Sequence, residues 1–384
     1  MHLELDGSEF TVTAGGITIT LLPKEFALLQ FLYRNRERTF SREQLLDHVW
    51  PLEYPVERTV DDHIYRLRKK LAVLNGVGIR TVRGFGYSLT LPGSPAGVMI
   101  HPTTKDSELR DTMRDVFSKF HVYGQGRSML TLARQKDILG YELDPEYWMV
   151  IHFVQGDLDW LLYTDEVPLR NRLFYLCVFY FLSGDPKERL AYCEQVIEHK
   201  LLHPSHQIEL EILTILDLYT FAGQPERALE RLKRSHQVIA ELHYENFIPV
   251  IKITEWLVNL VAGTGNDELI KMEEDIGWIL QEKPFLREIG SYKVVKGLWY
   301  VRQKQWREAE KLLDEGLQVQ ELTGFLPLRL YALYQIVHFC RMFPPEQALQ
   351  YKYENIFALE LEKSGLKRLE QPLEELMQQL LESL

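Results

Sequence analysis

The chain has 384 residues, of which 26% are charged, and its formal net charge is −11. That length provides for two or three domains with cores of their own, and the composition has neither a disorder nor a collagen bias. The longest apolar run, Leu173 to Leu182, is about half of a bilayer-spanning helix, and MHLELDGSEF at the amino terminus has no secretory leader pattern, so a cytoplasmic protein without a membrane partner is expected.

In chain order, the first twenty residues alternate in short runs, His2–Leu5, Glu9–Thr13 and Ile17–Leu21, separated by the turn dipeptides Asp6-Gly7 and Gly15-Gly16. This pattern predicts a small antiparallel meander. Pro23 can open a helix at N1 whose apolar face is Phe26, Leu29, Leu32 and Tyr33. A basic turn, Arg34 to Arg38, precedes a second helix, with Ser41 and Gln44 as its capping box and Leu45, Leu46 and Val49 on its buried side. Trp50-Pro51 ends that helix.

A third helix is predicted over 59–74, with Val60, Ile64, Leu67 and Leu71 on one face and Thr59 and Asp62 as N-cap and N3 partner. His63, Tyr65, Arg66, Lys69 and Lys70 occupy the rest of the cylinder. A basic hairpin follows at 79–90, tipped by Gly84 and Gly86. The charge is uneven. Residues 1–92 hold 12 basic and 11 acidic residues, the remainder 32 and 44, and residues 58–83 hold 7 and 2. Such an asymmetry fits a DNA-binding head on an acidic body.

The order strands, helix, helix, loop, helix, hairpin carries a set of ordered motifs. They are Glu25-Phe26-x-Leu28-Leu29, Ser41-Arg42-Glu43-Gln44-Leu45-Leu46, Val49-Trp50, Arg58-Thr59-Val60-Asp61, His63-Ile64, Leu67-Arg68-Lys69-Lys70-Leu71 and Thr81-Val82-Arg83-Gly84-x-Gly86-Tyr87. Residues 1–92 thereby resemble the winged helix-turn-helix domain of OmpR/PhoB-type response regulators. The resemblance implies that helix 59–74 enters the major groove of double-stranded DNA, that the hairpin touches the adjacent minor groove, and that loop 50–57 can contact RNA polymerase.

On physical grounds His63, Tyr65, Arg66 and Lys69 are candidates for base-edge or phosphate contacts, and Arg58, Thr81 and Arg83 for phosphate or minor-groove contacts. Glu25 and Arg42 are expected to pair within the domain. Arg68 is left open between DNA and the domain interior. Tyr65 departs from the family, where many members carry a basic residue. No receiver-domain pattern is read in these residues, so control by aspartate phosphorylation is not expected, and the winged helix precedes the helical stretch.

Leu91-Pro92-Gly93-Ser94-Pro95-Ala96-Gly97 marks a boundary, with 93–105 as linker and 106–167 as about four helices without an assigned repeat. From 168 to 384 a period of roughly 38–41 residues appears. Long apolar helices begin near 168, 206, 245, 286 and 326, each followed by a turn and an amphipathic helix. Pro225-Glu226-Arg227-Ala228-Leu229, Trp306-Arg307-Glu308-Ala309-Glu310 and Pro345-Glu346-Gln347-Ala348-Leu349 resemble tetratricopeptide repeats. The fold class is therefore an α+β winged helix followed by an all-α, tetratricopeptide-like solenoid.

In a solenoid the first helix of each pair lines the concave face. That register puts Asn171, Phe174, Leu213, Asp217, Val294, Leu298, Val301 and Arg302 on it, with Arg170, Lys252, Lys293 and Lys296 on the same helices. Asn171, Phe174, Asp217, Lys252, Leu298 and Arg302 are the candidate ligand contacts.

His199, His203 and His206 have helical metal-ligand spacing, but Pro204 interrupts them and no further ligand completes a site. Cys177, Cys193 and Cys340, far apart and odd in number, fit buried thiols in a reducing cytosol. No nucleophile, phosphate-loop or zinc-protease motif occurs, so neither an enzyme nor a cofactor is expected.

A winged helix on helical repeats is also similar to actinobacterial antibiotic regulatory proteins and to the peptide-sensing RRNPP regulators. The expected function is a homodimeric transcription regulator whose repeats bind a peptide or small ligand, as in quorum sensing, and set the spacing of two DNA heads. The competing reading is a ligand-independent adaptor whose repeats dock a protein such as RNA polymerase.

Overall fold

A computed structural model describes residues 3–35, 39–50, 58–74, 76–82, 86–91 and 102–382. The chain divides into two compact units, residues 1–106 with 134–142, and residues 107–133 with 143–384.

In the first unit the predicted meander is present as β1 (Glu4–Asp6), β2 (Thr11–Ala14) and β3 (Ile17–Thr20), antiparallel in that order. Its second turn is the Gly15-Gly16 pair at φ 57° and 81°, a conformation that side chains resist. α1 (Pro23–Arg34) opens with proline at N1 and buries Phe26, Leu28, Leu29 and Leu32. α2 (Arg42–Val49) begins at the expected capping box: the Gln44 amide donates to Ser41 Oγ at 3.1 Å and the Ser41 amide to Gln44 Oε1 at 2.9 Å.

α3 (Arg58–Leu71) buries Val60, Ile64, Leu67 and Leu71, the predicted face, to 1% exposure or less. It starts earlier and ends sooner than 59–74. Thr59 is therefore inside the first turn and not the N-cap, and its carbonyl is engaged by Nδ1 of His63 at 2.7 Å. β4 (Gly78–Val82) and β5 (Gly86–Thr90) form the hairpin. Phe40 adds to its edge through a pair of backbone bonds with Tyr87, at 3.0 and 2.9 Å. The basic turn beyond Asn35, loop 51–57, Arg83 and most of linker 93–105 lie outside the described residues.

The second unit is all-helical. Its first four helices, α4 (Ser107–Val122), α5 (Gly126–Leu139), α6 (Pro145–Gln155) and α7 (Leu158–Tyr163), occupy the stretch read as four helices, and the end of α5 falls in the first unit. Helix pairs follow in the expected register. They are α8 (Leu169–Phe181) with α9 (Pro186–Glu198), then a helix made of α10 (Pro204–Glu209), a π-turn at Leu210–Thr214 and α11 (Ile215–Phe221), paired with α12 (Pro225–Glu241). Next come α13 (Ile248–Ala262) with α14 (Asn266–Glu282), α15 (Leu286–Arg302) with α16 (Trp306–Thr323), and α17 (Leu326–Met342) with α18 (Gln347–Lys363); α19 (Leu366–Glu382) ends the stack.

Small residues set the closest approach. A Cβ at Gly297 of α15 would lie 2.8 Å from the Leu313 side chain of α16, which is why glycine stands in mid-helix there. Ala228 and Ala309, at the predicted repeat positions, are fully buried.

One feature departs from an open solenoid: the helical stack of this unit closes on itself. The hydroxyl of Tyr180 on α8 donates to Glu374 of α19 at 3.0 Å, and Arg189 of α9 pairs with the same carboxylate at 2.8 Å. Gly156, after α6, packs on Leu326 of α17. Tyr331 of α17 donates across to Asp217 of α11.

Candidate nucleic-acid interface and repeat interior

The buried stripe of α3 fixes which of its polar residues face inward at the edges and which face out. Lys70 is inward. Its Nζ lies 2.7 Å from Oε2 of Glu25, which is 1% exposed and also accepts the Leu22 amide at 2.9 Å. Burial by itself would raise the Glu25 carboxyl, but that amide and Lys70 hold it below its usual value.

Asp61 accepts Arg42 Nε at 2.7 Å and the Tyr87 hydroxyl at 2.6 Å, and so joins α3, α2 and β5. Arg68 also points inward. It donates from Nε to the Ile79 carbonyl at 2.9 Å and from Nη2 to Thr81 Oγ1 at 2.6 Å, which ties α3 to β4. The pairing expected for Glu25 and Arg42 is therefore present, and Arg68 is a brace between helix and hairpin.

What these braces leave outward is a smaller set. Tyr65 is 59% exposed, and Lys69 Nζ stands 4.7 Å above its ring. Arg58 and Arg66 are exposed and make no hydrogen bond or ion pair among the described residues. Thr81 is exposed, with its oxygen accepting from Arg68 and its hydroxyl proton still available. His63 is half-buried, edge-on to Trp50 at 5.0 Å, and with Nδ1 engaged only Nε2 remains for another partner.

Arg80, absent from the sequence-based set, is likewise exposed on β4 and has no ion-pair partner among the described residues. The alternation of buried Ile79 with its neighbour was the signal that could have found it.

The predicted groove residues divide differently. Leu298 is fully buried, so it packs the body instead of lining an open face, and Val294 and Val301 do the same. Lys252 pairs with Glu255 at 2.8 Å, Lys293 with Glu315 of α16 and Lys296 with Glu273 of α14, both at 2.6 Å. Arg302 donates to the Leu260 carbonyl of α13. Lys293, Lys296 and Arg302 thus bridge neighbouring helices, because their long side chains reach sideways to carboxylates and carbonyls nearby, whereas Lys252 pairs within α13. Asn171 is exposed at the start of α8.

Phe174 meets a partner on the next helix pair, and Asp217 one much further along the stack. The ring of Phe174 stacks on His206 at 4.4 Å, and the carboxylate of Asp217, 7% exposed, accepts from Tyr331. Of the three histidines weighed as metal ligands, His206 is thus an aromatic packing group, and burial pushes its pKa down to about 4.

Residues 16–89 match a family model described as "Transcriptional regulatory protein, C terminal". The chain is 45% identical over 89 residues to the transcriptional regulatory protein VxrB of Vibrio cholerae, covering 23% of this chain and 35% of that one. It is 51% identical over 89 residues to the phosphate regulon transcriptional regulatory protein PhoB of Rhizobium meliloti, and 43% identical over 90 residues to the sensory transduction protein RegX3 of Mycobacterium tuberculosis, covering 39% and 40% of those proteins. The chain therefore spans well under half the length of these relatives. A solved structure titled the DNA-binding domain of E. coli CadC aligns with 23% of this chain and 87% of its own, at 30% identity and a TM-score of 0.22. Taken with the strand, helix and hairpin order of the first unit, the family match makes the amino-terminal region a winged-helix domain of the OmpR/PhoB type.

Proposed function

We propose that this chain is a transcription regulator that binds double-stranded DNA through α3 and the β4–β5 hairpin, and that its helical unit senses a peptide or small ligand and governs the geometry of a dimer. The observation that carries the DNA-binding part is the division of the basic residues. Lys70, Arg42 and Arg68 are each committed to partners inside the domain, whereas Arg58, Arg66, Lys69 and Arg80 are exposed and have no ion-pair partner among the described residues. Exposed cations around an apolar-seated helix are what phosphate binding needs, and an exposed Tyr65 with Lys69 over its ring adds a flat amphipathic contact. Two heads in one dimer would raise affinity through effective concentration.

The test is promoter-fragment binding by the full chain across a salt series. Arg66→Ala and Lys69→Ala should each lower the slope of log K against log salt by about 0.9, the value for one phosphate contact. Unchanged affinity and slope in both variants would refute the assignment of α3. The sensing part is supported by the unusual polar interior of the helical unit.

A further inference from the structure

Where the helical stack closes, the turn between α8 and α9 meets α17, α18 and the start of α19, and a cleft of about 320 Å³ lies among them. Its floor is apolar: Leu182, Val337 and Leu366 are buried, and Phe357 and Leu361 are half-buried. At roughly 30 Å³ per liquid water, the space equals about ten waters. That is the lower end of the ~300–1,000 Å³ typical of small-molecule pockets, room for a compact molecule and not for a long peptide.

The walls are fixed from within. The Ser183 carbonyl accepts Arg189 Nε at 2.8 Å, and the Ser183 hydroxyl donates to the Tyr180 carbonyl at 3.1 Å. Arg189 also pairs with Glu374 of α19 at 2.8 Å, so the α8–α9 turn and α19 are tied together on either side of the cleft.

Four charged residues line the cleft, and they differ in their partners. Arg341 Nε of α17 stands 3.7 Å from Glu354 Oε1 of α18, and Gln350 Nε2 donates to the same oxygen at 3.2 Å. Lys367 and Glu370 of α19 are exposed and make neither a hydrogen bond nor an ion pair among the described residues. Three residues apart, they stand on one side of their helix with Cβ atoms about 5–6 Å apart. A cation and an anion side by side that do not pair with each other can each receive a group of opposite sign. His338 of α17 is a further polar group on the wall. Its ring lies against Tyr334 at 4.2 Å, and neither ring nitrogen has a hydrogen-bond partner among the described residues. Burial and the nearby Arg341 guanidinium push its pKa down to about 4, so at neutral pH it presents one donor and one acceptor and adds no charge.

We propose that this cleft binds a free α-amino acid with an apolar side chain, seated against Phe357, Leu361 and Leu366, with its carboxylate received by Lys367 and its ammonium by Glu370. This rests on the ligand-sensing part of the reading above and names the class of ligand. An α-amino acid carries both charges on one carbon, so two groups one helical turn apart can reach both, and its net charge of zero matches a rim of two cations and two anions. A plain carboxylic acid would set its carboxylate beside Glu370, and a plain amine its ammonium beside Lys367; each would leave one rim charge facing its own sign. An occupant here lies among α17, α18, α19 and the α8–α9 turn, and so adds to the closure that Arg189 provides.

The experiment is thermal unfolding of the full chain with L-leucine and with L-phenylalanine, and with analogues of each that lack one charge. Leucinamide and phenylalaninamide lack the carboxylate and stand in for the first residue of a peptide; isocaproate and hydrocinnamate lack the ammonium. One amino acid should raise the unfolding temperature as its concentration rises, and its two analogues should bind about tenfold more weakly. Lys367→Gln and Glu370→Gln should each weaken that amino acid's binding by about five- to tenfold. Both side chains are exposed, so the variants keep the parent's fold, and far-UV circular dichroism checks this. No rise with either amino acid, or binding unchanged in both variants, would overturn the proposal. An equal or larger rise with an analogue would overturn the zwitterion site and leave ligand sensing standing. Amino-acid binding that leaves promoter-fragment affinity unaltered would uphold the site and overturn its part in sensing.

Discussion

Asp217→Asn is the substitution with the most informative stability profile. Burial raises the Asp217 carboxyl to about 7, against which the Tyr331 hydrogen bond works. In the unfolded chain it titrates near an ordinary aspartate value of about 3.9. A carboxyl with a raised folded value opposes folding once the unfolded chain ionises. The opposition is absent below about pH 4, grows between about pH 4 and 7, and is constant above, where it reaches about 4 kcal/mol. Asparagine keeps the oxygen that accepts from Tyr331 and removes the ionisation, at a cost of about 1 kcal/mol for exchanging a charge-assisted bond for a neutral one. At pH 8 the variant should therefore be more stable by about 3 kcal/mol, or roughly 6–12 °C in the transition of a unit this large. At pH 4 the difference should vanish or reverse slightly. The assay is thermal unfolding of the full chain followed by far-UV circular dichroism, which is dominated by the helical unit. A variant less stable than the parent at pH 8 would refute the reasoning, because it would mean that Asp217 is ionised and favourably partnered in the folded protein.

Three further outcomes are expected. Gly86→Ala should destabilise the first unit by about 2 kcal/mol or more, since φ is 139° and the new Cβ would stand 1.9 Å from the Phe40 carbonyl oxygen, breaking the Phe40–Tyr87 pairing; a proteolysis series on the full chain reads this. Glu25→Ala should cost about 3 kcal/mol, because it leaves Lys70 and the Leu22 amide without their acceptor, whereas Arg42→Ala, whose side chain is a third exposed, should cost about 1; equal losses in chemical denaturation would contradict the difference in burial. Arg189→Ala should cost about 3–5 kcal/mol and release α19, since Arg189 is 4% exposed and binds Ser183, Tyr180 and Glu374 together; hydrogen exchange in Leu366–Glu382 as slow as in the parent would show that α19 is held otherwise.

Much of the fold was legible because it is written in short-range patterns. The Ser41/Gln44 box, proline at the start of α1 and the glycine-tipped turns act over four residues or fewer, and the α3 stripe repeats every three or four. The fate of neighbouring charges was not legible. Lys69 and Lys70 are adjacent in one basic run, yet only Lys70 finds an inward partner, Glu25, which is 45 residues away in sequence. The helical pairs were legible for the same local reason, through their recurring turns. Closure of the stack was not, because it rests on contacts such as Tyr331 to Asp217 that span 114 residues and leave no periodic trace. The groove residues suffered most from this. A register can say which helix lines a face, but lysines on that helix turn to whichever carboxylate is nearest.

The braces on α3 also bear on how a signal could reach it. Lys70 fixes it to α1 and the end of β3, Asp61 to α2 and β5, and Arg68 to β4, so every element around the helix holds it by at least one polar contact besides the apolar seat. Deforming α3 would break several of these at once, each buried or half-buried pair costing about 1–3 kcal/mol. A ligand delivers only its differential affinity between two states, typically 1–3 kcal/mol of coupling. That is too little to reshape the helix and enough to change how two heads are spaced or whether both engage. Within the proposed dimer, control through the spacing of the heads is thus favoured energetically over deformation of α3.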